Sequence, residues 1–326
     1  MNKKYILYIV TVIIIVSIVS AAFIYYNYNN SNQSNNQNSV TVVDDEGYAT
    51  TFSSIPQRII SLAPSNTQIL FAIGLGDKVV GITDYDHYPY NFTAWIEAGN
   101  ITSIGGFSTP NKETIASLSP DLILATPIND PDVVTLRDLG YKVLVLNPND
   151  VDGVLSDISL VGKAAGVDQD AASLVDSLSS QISAVEAKIA SANLPKPKVY
   201  YEVWTPPLMS AGNGSFINDV ILKAGGINIF GSESQQYPSV SSETVVQSNP
   251  DVILLPTEMA NTGEAPFYGS VADVKARPGW STISAVENDR VIIVSGDLFA
   301  EAGPRIAEQI AVAAEAFYPE LFNSTT

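Results

Sequence analysis

Residues 170–193 read DAASLVDSLSSQISAVEAKIASAN, and they decide how the rest of the chain is arranged. Apolar side chains stand at Leu174, Leu178, Ile182, Val185 and Ile189. That spacing is one stripe of a helix with 3.6 residues per turn. No Gly or Pro interrupts the run, Asp168 or Asp170 is placed to cap its start, and Pro195 and Pro197 stop it. At 1.5 Å per residue the helix reaches roughly 36 Å, enough to span a small domain. Two readings are open at this point: a connector between two lobes, or a long surface helix of one domain.

What lies on either side favours the connector. Upstream, a hairpin is expected over 40–56 with Asp45-Glu46-Gly47 as its turn. Short apolar strands come next at 58–62, 79–82, 122–125 and 142–146, with helices at 68–73, 111–118, 131–139 and 151–165. Ala63-Pro64-Ser65-Asn66-Thr67 is read as the loop that caps the first of these helices. Downstream the same alternation returns, with strands at 199–203 and 290–294 and helices at 215–224 and 305–317. Short strands alternating with helices imply an α/β class with parallel sheets covered on both faces. The expected organisation is an N-terminal lobe over 40–166, a connecting helix over 167–194 and a C-terminal lobe over 195–326.

A local repeat links the two lobes. Glu113 begins ETIASLSPDLILATP, and Glu243 begins ETVVQSNPDVILLPT. The pairs Glu-Thr, Ser119 with Asn249, Pro-Asp and Ile-Leu align without a gap. Each copy reads as a helix, a Pro-Asp corner and a buried strand. A carboxylate at a helix N-terminus is favourable on its own account. Its recurrence in both lobes also fits one acidic knob per lobe, presented to a symmetric partner.

Ligands of open α/β sheets bind beyond the C-terminal ends of the strands. Just past the expected strands stand Pro64, Ser65, Asn66, Tyr85, Asp86, Tyr88 and Phe107 in the first lobe, and Trp204, Tyr237, Asp297 and Phe299 in the second. Flat side chains dominate, which suits a large ligand with an apolar body and a polar fringe. Arg305 is the main basic residue near them, against Asp84, Asp86 and Asp297. His87, in DYDHYPY, reads first as a solvated loop residue and second as an axial metal ligand.

Bulk composition removes several functions. The chain of 326 residues carries 16 Lys and Arg against 34 Asp and Glu, a formal net charge of -18. Such a surface repels nucleic acid and anionic lipid. There is no cysteine, which excludes disulfides, thiol catalysis, Cys-ligated zinc and a lipid-modified cysteine. One histidine leaves no multi-histidine metal site. No phosphate-binding glycine loop and no Gly-x-Ser-x-Gly elbow is present.

Residues 1–26 carry Lys3 and Lys4 and then an apolar run, YILYIVTVIIIVSIVSAAFIYY, long enough to cross a bilayer. The lysines place the rest of the chain outside the cytoplasm. Cleavage near Ser20-Ala21-Ala22 would make the run a signal peptide; retention would make it a transmembrane anchor, the favoured reading. Residues 27–39, NYNNSNQSNNQNS, read as a flexible tether.

The runs RIISLAPSNTQILFAIGLGDKVVGITDYDHYP (58–89) and IGGFSTPNKETIASLSPDLIL (104–124) resemble the vitamin B12 and iron-siderophore substrate-binding proteins of ABC importers. So do YPSVSSETVVQSNPDVILL (237–255) and RPGWSTISAVENDRVIIVSGDLFAEAGPR (277–305). The resemblance implies two Rossmann-like lobes joined by one long rigid helix, with ligand in the crevice between them. It implies docking of Glu113 and Glu243 on a permease dimer that carries ATPase subunits. Phe107, Tyr237, a residue near Trp204, and Asp297 fall where the cobalamin-binding members contact their ligand. Phe107 and Tyr237 replace tryptophans there. The expected protein is a monomer before docking, holds no intrinsic cofactor, performs no catalysis and carries a corrinoid. A ferric siderophore or haem is the alternative cargo. A membrane-tethered enzyme acting on a corrinoid or iron chelate is the alternative of another class.

Overall fold

A computed structural model describes residues 39–257 and 269–322. Of the described residues, 39–40 and 51–54 fall in a smaller unit, and 41–50, 55–257 and 269–322 fall in a larger compact one. The larger unit holds both five-stranded sheets. The run at 5–26 and the tether at 27–38 lie outside the described residues. Among the described residues no helix is long and apolar enough to cross a membrane.

Strands β1 (Val40–Val43) and β2 (Ala49–Phe52) form the N-terminal hairpin. The first lobe continues with β3 (Ile59–Ser61), β4 (Val79–Ile82), β5 (Thr102–Ser103), β6 (Gly105–Gly106), β7 (Thr109–Pro110), β8 (Leu122–Ala125) and β9 (Val143–Val145). Its sheet runs β5-β4-β3-β8-β9, parallel throughout. Every residue of β3, β8 and β9 is buried, as expected for a sheet covered on both faces. Ile60, Leu62, Ile115, Ile123 and Val145 build one aliphatic core on it.

The second lobe holds β10 (Lys198–Trp204), β11 (Met209–Ser210), β12 (Ile227–Asn228), β13 (Val252–Pro256) and β14 (Val291–Val294). β10 pairs β12 and β13 in parallel and β11 antiparallel, and β14 closes the far edge beside β13. Its core is more aromatic: Tyr200, Phe230 and Trp280 pack with Val245 and Ile253.

The helix Asp168–Ala192 stands between the two sheets in the chain. Leu178 and Ile182 of its apolar stripe are buried, and Leu174, Val185 and Ile189 are half-buried. It packs on the helices Val151–Ala165 and Ile306–Phe317. A Cβ added to Gly162 would stand 2.3 Å from Ala171 Cβ, so only glycine lets these two backbones approach so closely. The capping expectation needs correction. The N-cap is Val167, with no side-chain cap, while Asp168 and Asp170 stand inside the first turn. There they favour the helix through the dipole rather than by hydrogen bonding.

The expected loop at 63–67 is also corrected. The helix there is Pro64–Ala72, starting four residues earlier than the 68–73 expected from sequence. Pro64 supplies a preset φ at a position whose N–H is an orphan anyway. By contrast, the helix Val151–Ala165 has the bounds expected, capped by Asp150, which accepts from Gly153 N at 2.7 Å.

Candidate ligand crevice

The crevice forms where the strands of both lobes end. Ala63, Pro64 and Ser65 follow β3, Tyr85 and His87 follow β4, and Thr126 and Ile128 follow β8. Asp297, Ala300 and Glu301 follow β14 from the opposite lobe, and Phe107 completes the wall. The open cleft between them holds about 260 Å³.

Local chemistry explains how the first-lobe wall is built. Asp86 Oδ2 accepts from Thr83 N at 2.8 Å and from Thr83 Oγ1 at 2.6 Å, which folds the loop after β4. Burial pushes the Asp86 carboxyl up to about 6, opposed by its hydroxyl and amide donors and by His87. Phe107 sits in the two-residue turn between β6 and β7. Its carbonyl accepts from the Asn129 side chain, and its ring meets Tyr85 edge-on at 5.1 Å between centroids. These two rings form the apolar side of the crevice.

The second-lobe wall is held from behind by a buried amide. Gln309 Nε2 donates to the carbonyls of Leu298 and, at 2.7 Å, Glu301. That sets Glu301 against the first lobe, where its Oε2 accepts from Gln68 Nε2. The Glu301 carboxyl is raised to about 8, by burial first, then by Asp297 and Asp86, with Arg305 and Gln68 opposing. A second cross-lobe contact puts the Arg305 guanidinium 4.5 Å above the Tyr88 ring. Arg305 also binds both Glu308 carboxylate oxygens at 2.8 Å.

Of the residues named from sequence, the structure brings Pro64, Ser65, Tyr85, Phe107 and Asp297 together in the crevice wall, with His87 among them. Asn66 is buried beneath it and donates to the Ala125 carbonyl at 3.2 Å. Phe299 is buried too, stacked on Tyr201 at 6.1 Å. Trp204 and Tyr237 are exposed and stand outside this lining, as do Tyr88 and Arg305. Asp84 accepts from Ser103 Oγ at the edge of the first sheet. Thr126, Ile128, Ala300 and Glu301 were not legible as site residues. Among the described residues no group of three or more His, Asp or Glu side chains is placed to hold a metal.

The repeated corners match in detail. Asn111 caps the helix Lys112–Leu118 and Ser241 caps the helix Ser242–Ser248, each accepting at 3.0 Å from the threonine after the glutamate. Glu113 and Glu243 are exposed in the first turns. Both helices end on a left-handed residue, Ser119 at φ 47° and Asn249 at φ 45°. Asp121 then accepts from Gln57 N and Arg58 N, and Asp251 from Lys198 N, all at 2.8 Å.

Two mainly parallel sheets with one long helix between them in the chain, and a crevice lined from beyond the strand ends of both, are the frame of a solute-binding protein. The periplasmic binding protein family matches residues 59–298. The chain belongs to that family. It is 31% identical to an ABC transporter substrate-binding lipoprotein of Bacillus subtilis, YvrC, over 87% of each chain. It is 28% identical to the vitamin B12-binding protein of Vibrio cholerae over 78% of this chain and 86% of that one. The periplasmic haem-binding protein RhuT of Roseiflexus superposes with a TM-score of 0.70 at 25% identity, covering 81% of this chain and 99% of the other. The family and these relatives bind solutes and are not named as enzymes, which bears out the family, the fold class and the solute-binding role expected from sequence.

Proposed function

We propose that this chain is the extracytoplasmic capture component of an ABC importer and that its cargo is a corrinoid. The observation that carries the reading is the chemistry of the crevice. Tyr85 and Phe107 offer flat apolar faces, Asp297 and Glu301 offer acceptors, and among the described residues no Lys or Arg lines the wall. A large, nearly neutral ring with hydrogen-bonding side arms meets those groups without burying an unpaired charge. Anionic haem or a ferric siderophore would face carboxyls there, with Arg305 already paired to Glu308. The relative that binds vitamin B12 supports the same cargo.

A corrinoid is larger than this 260 Å³ space, and the reading has the lobes part to admit it. The contacts Gln68–Glu301 and Tyr88–Arg305 are the ones that yield. Glu113 and Glu243 then present the loaded protein to a permease dimer with its ATPase subunits. Docking does not consume the crevice, so the two functions are separable. The chain works as a monomer until it docks. The apolar run 5–26 of the sequence is proposed as a membrane anchor, with a cleaved signal peptide as the alternative.

Calorimetric titration of the purified chain with cyanocobalamin, a ferric hydroxamate and haem tests the cargo. Submicromolar binding of cobalamin alone is the expected result; binding of only an iron chelate or haem replaces the cargo and keeps the importer role. Reversal of both Glu113 and Glu243 to Lys is expected to abolish uptake in cells and leave affinity within about twofold, since rim charges act on encounter and docking. Loss of affinity in that double variant overturns the docking assignment.

A further inference from the structure

Phe107 sits at the tip of a hairpin that has little to hold itself in place. β6 and β7 are two residues each, with Gly105 opposite Pro110 and Gly106 opposite Thr109. Pro110 has no N–H to give, and Gly105 takes a left-handed φ of 89°. A hairpin this short is marginal on its own. Its tip is nevertheless joined to another element of the same lobe. Asn129, 1% exposed at the start of the helix Asp130–Asp138, donates its Nδ2 to the Phe107 carbonyl.

The other end of that amide sets its orientation. Asn129 Oδ1 accepts from Thr126 N at 2.9 Å and from Thr126 Oγ1 at 3.2 Å. A backbone N–H can only donate, so the amide oxygen faces Thr126 and the nitrogen faces the Phe107 carbonyl. Asn129 N also donates to the Thr126 carbonyl at 2.9 Å, which closes the turn after β8. Thr126 and Ile128 line the crevice, and Asn129 is buried behind them. All these groups belong to the first lobe, as does Tyr85 against the Phe107 ring. The arrangement therefore survives a parting of the lobes.

We infer that Asn129 is a positioning residue for ligand affinity, acting through Phe107. It holds the turn so that the ring presents a fixed face to the flat body of the cargo before the cargo arrives. This rests on the proposed placing of the cargo against Phe107 and adds what fixes that ring. Phe107 is half-buried and Ser108 beside it is exposed, so the turn has room to move once the hydrogen bond is cut. A turn that holds the binding position for only part of the time lowers the apparent affinity by that fraction. For the loss of one buried hydrogen bond the fall is about threefold to tenfold.

The test is Asn129→Asp in the purified full chain at about pH 8, alone and combined with Phe107→Ala. A carboxylate keeps the acceptor for Thr126 and has no donor for the Phe107 carbonyl. Asn129→Asp alone is expected to bind cyanocobalamin about threefold to tenfold more weakly than the parent. Where Phe107 is already alanine, the same change is expected to cost no further affinity, within about 1.5-fold. Equal losses in the two backgrounds overturn the inference, because Asn129 would then act without Phe107; so does an unchanged affinity in the single variant. Hydrogen exchange of the 104–111 segment, measured without ligand, is expected to quicken in Asn129→Asp while the amides of β3 and β9 keep the parent's rates. Unchanged exchange at 104–111 also overturns it. If Asn129→Asp melts below the working temperature, Asn129→Ala, which adds no charge, takes its place in both measurements. Absence of cyanocobalamin binding to the parent sinks the corrinoid reading alone. Exchange then still decides whether Asn129 holds the turn, and the same cycle is run with whichever of the ferric hydroxamate or haem binds.

Discussion

The two lobes carry the same corner on different foundations. Both set a glutamate in the first turn of a seven-residue helix, end that helix on a left-handed residue, and tie the next aspartate to the start of a central strand. Beneath the first corner the core is aliphatic, with Ile115, Ile123 and Ile60 in one cluster. Beneath the second, Glu202 is wholly buried in β10 and bound by both Arg277 nitrogens at 2.6 and 2.8 Å. Arg277 lies 4.6 Å over the Trp280 ring, and Trp280 Nε1 donates at 2.6 Å to Ser242, the residue beside Glu243. The first lobe has a comparable ion pair, Asp44 with Arg137 at 2.5 Å, but it fastens the N-terminal hairpin rather than the corner. The repeat thus keeps the surface it presents more closely than the interior that supports it.

The comparison breaks most sharply at Arg277. Arg277→Ala leaves the Glu202 carboxylate buried without its partner, and the expected loss is about 3–5 kcal/mol. Urea unfolding measures it. A cost under about 1 kcal/mol would mean that the aromatic core alone supports the second corner.

A smaller difference separates the paired aspartates. Asp121 accepts two backbone N–H groups and Asp251 accepts one. At about 0.5–1.5 kcal/mol for each net hydrogen bond, Asp121→Ala is expected to cost more than Asp251→Ala. Equal losses in parallel urea melts would show that the corners are energetically as well as geometrically alike.

A third effect is one of pH. Asp157 is buried in the helix Val151–Ala165, and burial followed by the facing Asp45 raises its carboxyl to about 8. The folded chain therefore holds a proton that the unfolded chain releases near pH 4. Stability is highest below that value and declines as pH rises toward about 8. Asp157→Asn is expected to flatten part of the decline between about pH 5 and 8, with Glu301 supplying another part. An unchanged slope would assign the whole decline to the crevice.

Periodicity made the long helix and the helix Val151–Ala165 legible, because each buries one stripe against neighbours in a regular way. The start of Pro64–Ala72 was misread because Ser65, Asn66 and Thr67 look like capping residues. Their side chains are instead half-buried or buried, and Asn66 donates across the sheet edge to Ala125. Tyr85, Phe107 and Asp297 could be found by counting past strand ends. Glu301 could not, since nothing in Ala300-Glu301-Ala302-Gly303 marks it as inward. Its place depends on Gln309, eight residues onward, and on Gln68, far away in sequence.

The connecting helix has one further consequence. At one end it is seated by Gly162 against Ala171. At the other, Ile189 meets Gly225, where a Cβ would stand 2.9 Å away, and Tyr318 donates to the Gly225 carbonyl at 2.8 Å. Both seats use the absence of a side chain, one in each lobe. In mechanical terms the helix is a beam built in at both ends, not a rod on pivots. A parting of the lobes of the kind proposed for capture would load its middle turns as curvature.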